Sequence, residues 1–171
     1  IGIYVPAGAL WGAEDIKKMA DRGTLKGLTV TMKKHPDSLK VLGPLQSKLD
    51  AYVPDAETVL FEGKPFFNLF SNLNTQLKCI GSVRDLCPLA PNNVNTMACA
   101  SLAGHNLGFD GTKARLVADP RLNCSHWQVL TKKKNSTFNN TVLLVIEVIG
   151  PSVDGLGNFA VKTERINPAA P

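Results

Sequence analysis

The chain has 171 residues, 44% of them hydrophobic, and a formal net charge of +5. That length supports one domain with its own core, and no apolar run approaches the ~20 residues of a membrane-spanning helix. The excess charge does not outline a nucleic-acid face: Lys64, Lys78, Lys132, Lys133 and Lys134 lie in two acid-free stretches, Lys64 to Gly81 and Trp127 to Leu144, and without these five the chain has 14 basic against 14 acidic residues.

The chain opens at Ile1-Gly2-Ile3-Tyr4-Val5 with no methionine and no signal segment, as the interior of a longer protein would. Cys79, Cys87, Cys99 and Cys124 have no CxxC spacing. They fit reduced thiols in a cytoplasmic protein better than a zinc site, although one disulfide pair stays open.

The apolar segment Tyr4 to Leu10 turns through Pro6 and Gly8. A helix is expected over about Ala13 to Arg22, with Ile16, Met19 and Ala20 as its apolar stripe and Gly23 to end it. Leu25 to Met32 reads as a strand, followed by a polar turn at Lys33-Lys34-His35-Pro36-Asp37. Ser38 to Ala56 has little periodicity and reads as loop with room for a short helix, and Thr58 to Glu62 is the next strand. After the first acid-free stretch, Asn95 or Thr96 is placed to cap a helix running to about Leu107. Gly108-Phe109-Asp110-Gly111 reads as a turn, and Ala114 to Ala118 as a strand that breaks at Asp119-Pro120. Val145 to Ile149 (with an apolar lead-in from Val142) and Phe159 to Thr163 are the last strands, separated by a turn over Gly150 to Gly157. Asn167 to Pro171 reads as an ending without a closing element. Strands outnumber helices and the crossovers are irregular. The expected class is therefore α+β, a mixed or mostly antiparallel sheet with helices on one face.

Gly155-Leu156-Gly157-Asn158-Phe159-Ala160 matches the letters of a dinucleotide fingerprint. A strand-like run follows it rather than a helix, so it does not open a βαβ unit. No phosphate-binding loop is present either, and the chain has no nucleotide-binding domain of its own. The sequons at Asn123, Asn135 and Asn139 fit chance, and Lys132 to Lys134 a solvated turn. His35 and His105 read as surface residues. In Asn92-Asn93-Val94-Asn95 a carboxamide can cap a helix or pair with a planar amide ligand such as nicotinamide, since each amide both donates and accepts. His126 follows a strand on a loop, where an imidazole can exchange protons near neutral pH.

Three blocks in this order and spacing resemble the C-terminal domain of the L-aspartate dehydrogenase family, in its animal-type branch. They are Val5-Pro6-Ala7-Gly8-Ala9-Leu10-Trp11-Gly12, Pro91-Asn92-Asn93-Val94-Asn95-Thr96-Met97-Ala98, and Val117-Ala118-Asp119-Pro120 leading to His126. Glu164-Arg165-Ile166-Asn167-Pro168 also looks like the family's Glu-Asn-Pro segment. The resemblance implies that residues 1–171 are the catalytic half of a two-domain, cytoplasmic, homodimeric oxidoreductase whose Rossmann domain lies elsewhere. It implies NAD or NADP as cofactor and interconversion of L-aspartate with iminosuccinate, or oxaloacetate plus ammonia, in amino-acid metabolism and NAD biosynthesis. It implies no nucleic-acid, membrane or metal partner. By the same resemblance His126 is the catalytic acid/base, Asn95 contacts the cofactor, and Ala9 supplies a second, backbone contact. Lys33, Lys34 and Arg121 are candidate partners for the substrate carboxylates. The chain by itself is expected to give no turnover, and a non-catalytic binding or assembly role is the alternative.

Two departures stand out. Cys124 occupies the place two before the histidine where many family members carry Asn, and Asn123 lies one further back. Removing about 64–81 joins Phe61-Glu62-Gly63 to Ser82-Val83-Arg84-Asp85 in the family manner, and removing about 127–144 nearly joins His126 to Val145-Ile146-Glu147-Val148. Both stretches are therefore expected to be non-family insertions, translated from intron sequence rather than evolved as loops.

Overall fold

The computed structural model describes residues 10–62, 81–123, 141–154 and 157–168. Helix α1 (Ala13–Asp21) buries Ile16 and Ala20 and ends as its sequence implies. Gly23 takes a left-handed φ of 65°, and the Thr24 amide returns to the Met19 carbonyl at 2.9 Å. Strand β1 (Gly27–Lys34) follows, then a 3-10 turn at Pro36–Ser38, helix α2 (Pro44–Asp50) and strand β2 (Thr58–Glu62). Helices α3 (Val83–Leu86), α4 (Asn95–Ala103) and α5 (Gly108–Gly111) precede strand β3 (Lys113–Ala118). Strands β4 (Thr141–Val153) and β5 (Gly157–Pro168) form a long terminal hairpin.

The five strands make one sheet in the order β2-β3-β1-β4-β5. Only β1 and β3 run parallel, with Val30 opposite Ala114 and Lys34 opposite Ala118. The other pairings are antiparallel, so the sheet is mixed. Side chains alternate between the faces of a strand. Leu28, Val30 and Met32 of β1, Ala114, Leu116 and Ala118 of β3, and Val142, Leu144, Ile146 and Val148 of β4 share one face. They form a single core with Ile16 and Ala20 of α1, Leu45 and Leu49 of α2, Val83 and Leu86 of α3, and Met97, Ala100 and Ala103 of α4. The helices thus cover one face, as expected for an α+β domain. Burying such side chains contributes roughly 1.5–3 kcal/mol each.

Several elements differ from the sequence expectation. Helix α4 stops at Ala103, not Leu107, because a bend at Gly104 turns the chain into α5; the Gly108 amide donates to the Gly104 carbonyl at 2.9 Å. The Asn95 and Thr96 side chains do not cap that helix. Val94 holds the cap position and makes no side-chain cap bond, so the Asn95 carboxamide stays exposed on the first turn. Residues 108–111 form a short helix rather than a plain turn. Strand β1 continues through Lys33 and Lys34, β4 extends from Thr141 to Val153, and β5 carries the chain to Pro168 as a closing strand. Gly157 opens β5, so no helix follows the glycine-rich hexapeptide.

Candidate functional site

The carboxyl ends of β1 and β3 lie side by side because the two strands are parallel. The Asp119 amide donates to the Lys34 carbonyl at 2.8 Å, which holds the two exits together. Out of β1 the chain turns at His35, whose Nδ1 accepts from the Asp37 amide at 3.2 Å. His35 is therefore a partly buried turn-maker rather than a surface residue. His105 is exposed as expected, with Nε2 2.8 Å from Asp21 Oδ1.

Out of β3 the chain is organised by Asp119, only 5% exposed. Its Oδ1 accepts from the Arg121 amide at 3.0 Å and from Arg121 Nε at 2.8 Å, while Oδ2 accepts from Arg121 Nη2 at 3.0 Å. A carboxylate that bonds its own backbone two residues on makes a tight turn. The Arg121 guanidinium holds the Asp119 carboxyl below the usual carboxylate range, and the same pairing raises Arg121. Arg121 Nη2 also donates to Glu57 Oε1 at 2.9 Å, and Lys33 Nζ donates to the same oxygen at 2.6 Å. Lys33, Glu57, Arg121 and Asp119 thus form one ion network that clamps the segment before β2 to the exits of β1 and β3.

Lys34 faces the other way. It is in phase with Leu28, Val30 and Met32, on the helix-covered side, while Lys33 is in phase with Thr29 and Thr31. Burial without a compensating carboxylate pushes the Lys34 ammonium below its ordinary value. Among the described residues no carboxylate pairs with it.

Helix α4 packs on this face, against β1. A Cβ on Gly104, just past the helix end, would stand 3.0 Å from side-chain atoms of Leu25 and Leu28, near the start of β1. The buried Asn93 carboxamide accepts from the Lys40 amide at 3.0 Å, tying the approach to α4 to the chain that leaves β1. The structure thus sets Lys33 and Arg121 into the ion network, turns Lys34 to the opposite face, and leaves Asn95 exposed on the first turn of α4. Ala9 and His126 lie outside the described residues, as do the sequons and Lys132 to Lys134. The sequence does not mark Glu57, the Lys40 partner of Asn93 or the clamping role of Asp119. Only Asp119-Pro120-Arg121, a turn-forming acid two residues ahead of a base, carried a local signal.

Cys87 and Cys99 are free thiols, and burial raises both. Among the described residues no three His, Cys, Asp or Glu side chains are grouped to hold a metal ion, and no helix is long and apolar enough to cross a membrane.

Fold and site together describe an α+β domain that gathers amides and cations beyond the ends of a parallel strand pair. The family profile "Aspartate dehydrogenase, C-terminal" matches residues 15–67 and 74–171. An aspartate dehydrogenase domain-containing protein of Xenopus tropicalis is 46% identical over 99% of this chain and 48% of its own length. A Danio rerio protein of the same description is 40% identical over 98% of the chain and 46% of its own length. An L-aspartate dehydrogenase of Methanococcoides burtonii is 28% identical over 82% of the chain and 44% of its own length. No solved structure gives a significant match. The chain belongs to the aspartate dehydrogenase family, as its C-terminal domain. It spans about half the length of the curated relatives it matches.

Proposed function

We propose that this domain is the catalytic half of an NAD- or NADP-dependent L-aspartate dehydrogenase, interconverting L-aspartate with iminosuccinate or oxaloacetate plus ammonia. The observation that carries the reading is the family match along the chain, joined to an Asn95 carboxamide that is exposed on the first turn of α4 and does not cap it. An amide with no hydrogen-bond partner among the described residues is suited to a nicotinamide carboxamide, because donor meets acceptor on both sides. The cofactor, when bound, supplies hydride exchange at its nicotinamide ring. Asn95 would fix the ring's orientation, with the backbone at Ala9 as a second contact. His126, on the segment that follows the Asp119 turn, would move the proton at the amine nitrogen or the attacking water, a task for a group near neutral pKa. The ion network of Lys33, Glu57, Arg121 and Asp119 would hold the exit of β3 from which that segment departs. Such positioning counts for much of the rate when two reactants must meet in one geometry. The working protein is expected to be a cytoplasmic homodimer.

The test uses the full-length protein that carries this chain. NADH or NADPH is expected to be consumed on adding oxaloacetate with ammonia, and formed from the oxidised cofactor with L-aspartate. His126→Ala should lower the rate by roughly 10²–10⁴-fold, the range for a lost general acid/base. No dicarboxylate-dependent change in either direction would overturn the reading. A non-catalytic assembly or binding role is the second reading, favoured by Cys124 two places before His126. It predicts that His126→Ala leaves the protein's behaviour unaltered.

A further inference from the structure

We propose that Lys34 is the cation that receives a carboxylate of the substrate, and that Lys33 and Arg121 are not. The assignment rests on the aspartate dehydrogenase reading and deepens it by choosing among three basic residues at the same strand ends.

Geometry makes the choice. Adjacent residues of a strand face opposite sides, so Lys33 and Lys34 cannot serve the same site. Lys33 is on the face away from the helices and donates to Glu57 at 2.6 Å. Arg121 gives Nε and Nη2 to Asp119 and a further Nη2 contact to Glu57. A carboxylate ligand would have to displace fixed, charge-assisted bonds to use either. Lys34 needs no such displacement. It stands at the last position of β1, on the helix-covered face. Its backbone carbonyl accepts from Asp119, so its position is fixed by the same turn that launches the segment leading to His126. Partial burial without an anionic partner among the described residues is costly for an ammonium, and an incoming carboxylate offsets that cost. A four-carbon dicarboxylate carries two such groups, and Lys34 can anchor one while the carbonyl or imine carbon is left to the nicotinamide.

The test measures oxaloacetate binding by calorimetry, and turnover, in the full-length protein and in Lys34→Met, Lys34→Arg and Lys33→Met. Loss of one charged hydrogen bond predicts that Lys34→Met weakens oxaloacetate binding about tenfold to a hundredfold. NADH affinity should stay within about twofold, and Lys34→Arg should restore part of the loss. Lys33→Met should keep oxaloacetate affinity within about threefold while turnover falls, because its amine serves Glu57 and the β3 exit and not the ligand. A second readout needs no variant. Acetylation of Lys34 by an N-hydroxysuccinimide ester, followed by peptide mass spectrometry, should slow when oxaloacetate is present, while that of Lys33 should not. If the parent protein binds oxaloacetate and Lys34→Met binds equally well, or Lys34 is not protected, the assignment is wrong and the dehydrogenase reading stands. If the parent protein neither binds nor turns over oxaloacetate, both fall together.

Discussion

At the scale of single residues, Asp119 is the best-connected carboxylate near the candidate site. Its folded pKa is depressed, chiefly by the Arg121 hydrogen bond. A carboxylate of this kind stabilises the fold fully above its unfolded value of about 3.9, and the contribution is lost as pH falls through the lowered folded value. Asp119→Asn should therefore cost about 1.5–3 kcal/mol at pH 7, as for a hydrogen bond to a charged group. The gap between variant and parent in urea midpoint should be constant from pH 7 to about pH 5 and close progressively below about pH 4. A gap that persists unchanged at pH 2 would show that the side chain acts by shape and not by charge. The sequence marks this residue through Asp119-Pro120, a break at a strand end. It does not mark Glu57, because the partners of Glu57 are remote at Lys33 and Arg121 and meet it only through sheet registry. Asn95 was legible as a polar residue at a helix start. Whether its amide was occupied hinged on a one-residue shift of the cap to Val94, which local composition does not decide.

At the scale of elements, α3 is only four residues long and depends on its start. Ser82 Oγ accepts from the Asp85 amide at 3.2 Å, and the Asp85 carboxylate accepts from the Ser82 amide at 3.2 Å and from its hydroxyl at 2.8 Å. This reciprocal cap satisfies donors that so short a helix leaves open. Ser82→Ala should destabilise the domain by about 1 kcal/mol in denaturant unfolding, and Asp85→Ala in the same background should add little, because the two side chains act as a unit. Helix α1 and β2 matched expectation closely because their signals are local: an apolar stripe closed by Gly23, and a β-branched run closed by Gly63. The sequence places strand β1 two residues early, at Leu25 to Met32, because Lys33-Lys34 looks like a turn. The pair is tolerated in a strand because Lys33 meets Glu57 across the sheet and Lys34 lies at the strand's last position. Strand β4 was read short at Gly150-Pro151 for a similar reason. An irregular register between Ile149 and Ser152 absorbs those residues and lets the strand continue.

At the scale of the molecule, the mixed sheet with helices on one face was legible as a class, but the strand order was not, since nothing local says that β1 sits between β3 and β4. The two acid-free stretches, Lys64 to Gly81 and Trp127 to Leu144, belong to this scale too. The family match passes over residues 68–73 in the first and runs through the second. Peptide mass spectrometry of the native protein decides their status. Intron-derived stretches predict peptides that join Gly63 to Ser82 and none from Lys132 to Lys134; peptides from inside both would make them genuine loops of the protein. The sheet order has a consequence for how the domain is made. Val30 of the central strand pairs with Ala114 on one side and Ile146 on the other, both far along the chain. Among the described strands only the β4–β5 hairpin joins segments close in sequence; β2 and β3 are successive strands but about 50 residues apart. Closing long loops before any contact rewards them slows folding. A ribosome therefore releases β1 long before it has anything to pair with. The strand's apolar face must wait, exposed or sheltered by a chaperone, until β3 and then the hairpin emerge and give it edges to join.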